Sequence, residues 1–142
     1  MTSSKEYAAR VEELYNAGDL EALVESYAED AVMHVPELAT PLEGRAAIRD
    51  LFAEQFAEFP DGKMTAEILV EEGETIAEEF TYTGTNTGAM RLPDGTVLPA
   101  TGKRIEMRGI ELVQFHEGKI VRHDVFHPSG MQLGLIPAAA TA

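Results

Sequence analysis

Cysteine is absent from the 142 residues. That removes disulfides, thiolate nucleophiles and cysteine-based metal sites together. Tryptophan is absent too, so the large side chains available for a core or a pocket wall are Phe, Tyr, Leu and Met. No apolar run approaches the roughly 18 residues that a membrane-spanning helix needs. The opening MTSSKEYAARVEEL carries no apolar stretch of the signal-peptide kind, and a cytoplasmic location is the expectation. Positive charge is scarce: 11 Lys and Arg stand against 25 Asp and Glu, a formal net charge of −14. Nucleic acid and anionic membrane surfaces both call for a basic face, so neither is an expected partner. The negative excess is read as a solubility device.

What is present fits one globular domain over residues 1–142. Tyr7, Val11, Leu14 and Tyr15 recur at helical spacing, with Ser3 and Glu6 placed as a capping box. Asn16-Ala17-Gly18 stops that helix, and Asp19 caps a second one with Leu20, Leu23, Val24 and Tyr27 on its apolar face. Residues 31–35 are expected to form a short strand. Gly44 precedes a third helix striped by Ile48, Leu51, Phe52, Phe56 and Phe59 and ended by Pro60-Asp61-Gly62. Strands are expected over 64–70, 75–82, 86–92, 104–115 and 119–126, with His116-Glu117-Gly118 as a tight turn. Helices first and hairpins afterwards indicate an α+β fold. No internal repeat appears, and the only low-complexity stretch is the Ala-rich tail.

Several segments occur in a telling order. They are Gly44-Arg45-Ala46-Ala47-Ile48, Phe59-Pro60-Asp61, Thr83-Gly84-Thr85-Asn86-Thr87-Gly88 and Pro99-Ala100-Thr101-Gly102-Lys103, then Gly118-Lys119-Ile120-Val121 and Gln132-Leu133-Gly134-Leu135-Ile136-Pro137. Together they resemble the SnoaL-like polyketide cyclases of the nuclear transport factor 2-like superfamily, over nearly the whole chain. The resemblance implies a cone-shaped curved sheet, mixed or antiparallel, packed against three helices and enclosing a pocket. It implies cofactor-free, metal-free ring closure of aldol type on an apolar carbonyl substrate, and a homodimer. It also implies an acid on the last strand that moves the proton. The family's Asp falls nine residues after Lys119, on Pro128, and the family's His five residues before Lys119 is Gln114. A small register change would place His127 where the Asp belongs, and Asp124 is the other acid nearby. Asn86 stands where relatives carry a His, and His34 lies near another pocket-facing family His.

Proton abstraction beside a carbonyl needs a base of suitable pKa and a donor for the enolate oxygen. Arg122-His123-Asp124-Val125-Phe126-His127 supplies both kinds of group. Alternation along a strand puts His123, Val125 and His127 on one face and Arg122, Asp124 and Phe126 on the other. If the Asp124 face is inward, Asp124 is the base and Gln114 the donor. If the other face is inward, His127 is the base and His123 assists. Asp124 is the first choice, because enclosure by Val125 and Phe126 would raise its pKa. The bland alternative is that these groups decorate an outer face or a dimer contact. Glu111, set among Ile110, Leu112 and Val113, is either a buried acid or a solvent-facing position. Phe52 and Phe56, with Phe59, Tyr27 and Phe80, are read as core and pocket wall combined. Four residues of strand span about 13 Å, too far for His123 and His127 to share a metal ion.

Two classes of function compete. One is a cyclase or isomerase working by proton transfer. The other is a non-catalytic carrier or assembly module of the same hollow shape. A ketosteroid-isomerase-like variant would place an Asp before Pro36, where Val35 stands, and no Asp-Arg-Asp cluster of epoxide-hydrolase type assembles from the sequence.

Overall fold

The computed structural model describes residues 2–137, so the Ala-rich tail lies outside the described residues. Helix α1, Ser4–Ala17, starts where the Ser3 hydroxyl accepts from Glu6 N at 3.2 Å. It stops at Gly18, whose φ of 68° suits glycine. Asp19 Oδ1 accepts from Ala22 N at 3.2 Å and opens the short helix α2, Leu20–Glu25.

Strand β1 runs Tyr27–His34, earlier than the expected 31–35. Tyr27 sits three and four residues from Val24 and Leu23, which mimics a helical stripe. Tertiary contacts override it: Tyr27 pairs with Ile120, Ile120 N donates to Ser26 O at 2.8 Å, and Arg45 Nη2 donates to Tyr27 O at 2.5 Å. After β2, Leu42–Glu43, helix α3 spans Arg45–Glu58 and buries Ile48 and Phe52.

Strands β3, Lys63–Glu72, and β4, Thr75–Thr85, form the first long hairpin. Met90–Arg91 is β5 and Val97–Leu98 is β6. Strands β7, Arg104–His116, and β8, Lys119–Phe126, form the second long hairpin. Six strands make one curved sheet in the order β2-β1-β8-β7-β4-β3, parallel only between β1 and β8 and not closed into a barrel. The α+β architecture with three helices is as expected. Two details differ. β5 and β6 pair only with each other, outside the main sheet. The expected strand over 86–92 shrinks to Met90–Arg91, because Asn86 is drawn into a loop.

Asn86 is fully buried, and its side chain is wholly engaged by backbone and Thr101. Nδ2 donates to Glu58 O at 3.3 Å and Gly88 O at 2.9 Å; Oδ1 accepts from Thr101 N at 2.8 Å and Thr101 Oγ1 at 2.9 Å. Gly88 packs so closely that a Cβ there would lie 2.0 Å from Ala57 O. This junction fastens the end of α3 to the loop before β7. Asn86→Ala is expected to lower the unfolding free energy by about 3 kcal/mol, since buried backbone groups lose their partners. Urea denaturation followed by circular dichroism measures it; a change below about 0.5 kcal/mol would show the junction to be dispensable.

Candidate functional site

Alternation along β4 points Ile76, Glu78, Phe80 and Tyr82 to the side covered by the helices, and along β7 does the same for Glu111, Val113 and Phe115. Glu78 therefore stands opposite Glu111 in the ladder. On β8 the inward residue opposite Val113 is His123. Glu78 is 5% exposed, Glu111 8% and His123 7%, so three ionisable side chains sit in the interior layer. They line a cavity of about 20 Å³ with Glu12, Val11, Met64 and Phe115 among its other walls. That volume holds about one water molecule.

The buried groups form a chain. The Tyr27 hydroxyl lies 2.8 Å from His123 Nδ1, and His123 Nε2 lies 3.3 Å from Glu111 Oε2. A carboxylate acceptor at Nε2 assigns the ring hydrogen to that nitrogen, so Tyr27 donates its O–H to Nδ1. Burial, then the neighbouring Glu111 charge, holds the Tyr27 phenol well above its ordinary value and keeps it a donor. Burial also raises Glu78 to about 8, with further contributions from the charges of Glu111 and Glu12 and a hydrogen bond shared with Glu111. Glu78 thus keeps its proton at neutral pH. Glu12 is fixed on its own side, where Oε1 accepts from Ala66 N at 3.0 Å.

The sequence candidates scatter around this centre. His123 and Glu111 are brought together in it. Asp124 is turned to the other face of β8, where Oδ1 lies 2.7 Å from His34 Nδ1 and Oδ2 accepts from Arg122 Nη2 at 2.9 Å. Burial pushes the Asp124 carboxyl up, but the hydrogen bonds and charges of Arg122 and His34 outweigh it and leave it lowered. That is the reverse of the expected direction, because the polar neighbours count for more than Val125 and Phe126. Gln114 pairs with Arg122 in the ladder on that same outer face, and His34 is about half exposed there. His127 lies beyond the end of β8, with Nε2 3.1 Å from Glu37 Oε1. Burial lowers the His127 pKa, yet the Glu37 contact wins and raises it overall. Phe52 packs against Tyr27 and Tyr15, and Phe56 against Tyr15, as core behind the chain of polar groups. Asn86 is committed to its loop. Among the described residues no group of three or more His, Asp or Glu is placed to hold a metal ion.

On sequence alone Glu78 has no assigned role, and Tyr27 reads as core and pocket wall, not as a hydrogen-bond donor in the site. A signal for Glu78 exists: it shares a period of two with Ile76, Phe80 and Tyr82, which sets a carboxyl on the apolar face of that strand. A larger open groove of about 580 Å³ lies between the start of α1 and the β3–β4 and β7–β8 turns, with Phe115 as a wall common to it and the cavity.

Comparison with known proteins places this geometry in a setting. A family model described as a SnoaL-like domain matches residues 8–123. IdmH, a candidate polyketide cyclase from Streptomyces antibioticus, superposes with a TM-score of 0.75 at 27% identity, over 93% of this chain and 96% of that one. SalBIII, an epoxide hydrolase/cyclase-like enzyme of pyran ring formation in the polyether salinomycin, gives 0.71 at 26% identity over 88% and 90%. A SnoaL-like polyketide cyclase from Agrobacterium tumefaciens gives 0.74 at 21%, over 91% and 94%, and speaks for the fold alone. No protein of curated function matches the chain.

The raised Glu78 pKa makes stability depend on pH. Below about 4.5 Glu78 is protonated folded or unfolded; between there and about 8 only the folded state keeps the proton. Stability from this group is thus full at low pH and is lost as pH rises through about 8. Glu78→Gln is expected to raise Tm progressively more between about pH 5 and pH 8. Thermal melts of both proteins across that range test it, and a constant Tm difference would contradict it.

Proposed function

Since the chain belongs to the SnoaL-like domain family, we propose that it is a cofactor-free acid–base catalyst acting on an apolar carbonyl compound, by aldol-type ring closure or a related proton transfer. The observation that carries this reading is the inward carboxyl pair, Glu78 opposite Glu111 in the β4–β7 ladder, beside His123 and Tyr27. Aldol closure moves a proton from carbon to oxygen. A base takes the hydrogen next to one carbonyl, the enolate carbon bonds to a second carbonyl carbon, and the resulting alkoxide takes up a proton. Glu111 is the base in this scheme, oriented by His123 Nε2–H. Glu78, protonated at neutral pH, is the donor to the forming alkoxide. Transfer of the proton from Glu111 back to Glu78, its ladder partner, then resets the site. Tyr27 is a positioning residue, since its hydroxyl fixes the His123 tautomer.

Two structural relatives support the class of chemistry by their names, one a candidate polyketide cyclase and the other an epoxide hydrolase/cyclase-like enzyme of pyran ring formation. With an enolisable apolar diketone as test substrate, Glu111→Gln is expected to lower kcat by about 10²–10⁴ and Glu78→Gln to do likewise. Asp124→Asn, on the outer face, is expected to stay within about twofold. If Glu111→Gln and His123→Gln both keep the wild-type rate, proton transfer at this centre is wrong. If the wild type binds such ligands but turns none over, the carrier reading replaces it.

The expected homodimer is likewise a proposal, and the outer sheet face supports it. Ile68, Val70, Ile110 and Phe126 are all exposed there, between the ion pairs Arg108–Glu79 and Arg122–Asp124, which cancel in charge. In a chain of net charge −14 this neutral apolar face is the place where two copies repel least. Light scattering at micromolar concentration is expected to give twice the chain mass, and Ile110→Glu to give a monomer. A wild-type monomer would refute it.

A further inference from the structure

Resting on that reading of the hollow, we propose that residues 128–137 form a displaceable lid. In the ligand-free protein it fills the apolar mouth of the hollow, and it gives way to an apolar ligand. The starting point is volume. About 20 Å³ beside Glu78 and Glu111 admits a water but no organic molecule. Some part of the protein must therefore yield for any substrate to reach the carboxyls.

The packing identifies that part. Met64 lines the cavity and also packs into a second apolar cluster built on Phe59, Phe80 and Tyr82. Tyr15 and Val125 touch both clusters, and Val125 is the ladder partner of Glu111. The second cluster is thus the apolar ground adjoining the acid–base centre. Leu133, Leu135 and Ile136 fill it from the C-terminal side, with Leu135 buried.

The segment that carries those three side chains is built to move as a unit. Its backbone hydrogen bonds close on themselves: Leu133 N donates to Ser129 O at 3.0 Å, Gly134 N to Met131 O at 3.0 Å, and Leu135 N to Gly130 O at 2.8 Å. Ser129 and Gln132 cap each other, N to Oε1 at 2.8 Å and N to Oγ at 3.2 Å. Swinging it away leaves the sheet ladder whole, because β8 ends at Phe126 opposite Ile110. Two of the ties that hold it shut lie at its ends. His127 pairs with Glu37 at its root, and Lys103 Nζ donates to Gly134 O at 3.1 Å near its tip. The second tie is exposed and therefore weak. What leaves with the lid is aliphatic, and what stays behind is mostly aromatic and thioether, Phe59, Tyr82, Met64 and Met107 among it, with Ile105 and Val125 beside them. That seat suits the flat apolar body of a ligand whose reactive end reaches Glu78 and Glu111.

The test loosens the lid and reads binding, not turnover. Leu135→Ser removes its buried anchor. Gly130→Ala is the milder variant, since a Cβ there would lie 2.5 Å from Ile136 Cδ1 and push that side chain out of its seat. With Nile red as a neutral apolar probe on the full chain, both are expected to tighten binding by about fivefold or more, because less of the protein is closed. In the wild type, amides of 133–136 are expected to exchange at least about 100-fold faster than those of β7. Unchanged Nile red affinity in either variant with native circular dichroism, or exchange at 133–136 as slow as in β7, would overturn the lid. These readouts involve no chemistry. If the lid variants bind tighter while Glu111→Gln keeps full turnover, the lid stands and the proton-transfer reading falls.

Discussion

The register that pairs Glu78 with Glu111 across β4 and β7, and Val113 with His123 across β7 and β8, puts three ionisable side chains into one interior layer. Side chains alternate along a strand, so a slip of one residue would send all three to solvent and turn Glu79, Ile110 and Asp124 inward. The apolar partners prevent that slip. Ile76, Phe80, Val113 and Phe115 share the faces of the carboxyls and are buried with them. The hydrophobic effect acting on these neighbours holds the carboxyls where they would not go by themselves.

His123 and Asp124 show how much one position along a strand decides. They are neighbours in sequence and both are buried. His123 meets a phenol and a carboxyl inside the hollow, with no Lys or Arg lining the cavity. Asp124 meets Arg122 and His34 on the convex side, which hold it ionised. A group of lowered proton affinity anchors structure well and abstracts protons poorly. Glu78 inside has the opposite character, because burial, and then the nearby Glu111 charge, raise its proton affinity.

A similar contrast appears at the end of the sheet where β7 begins and β8 finishes. At the β7 entrance, Asn86 spends every hydrogen-bonding group of its amide on a rigid junction. Beyond the end of β8 the chain turns on itself, and apolar side chains hold it in place. At this one end, the segment before β7 is fixed by directional bonds and the segment after β8 by contacts that a ligand of like polarity can replace.

Much was legible in the sequence. Caps at Ser3 and Asp19, the stop at Gly18, the stripe of α3 and the two long hairpins follow from local spacing and turn chemistry, because those signals act within a few residues. The order of segments carried the family. The sequence also set out both faces of β8 and left open which one is inside. Only tertiary structure decided that, since the choice depends on β1 and β7 lying beside β8 and on the helices lying over one side. It decided, too, that Tyr27 leaves a helical pattern for a strand and meets His123, 96 residues away. The length of the separation is the physical reason. Burial and proton affinity are properties of an environment assembled from distant parts of the chain, and no local pattern records which parts will meet.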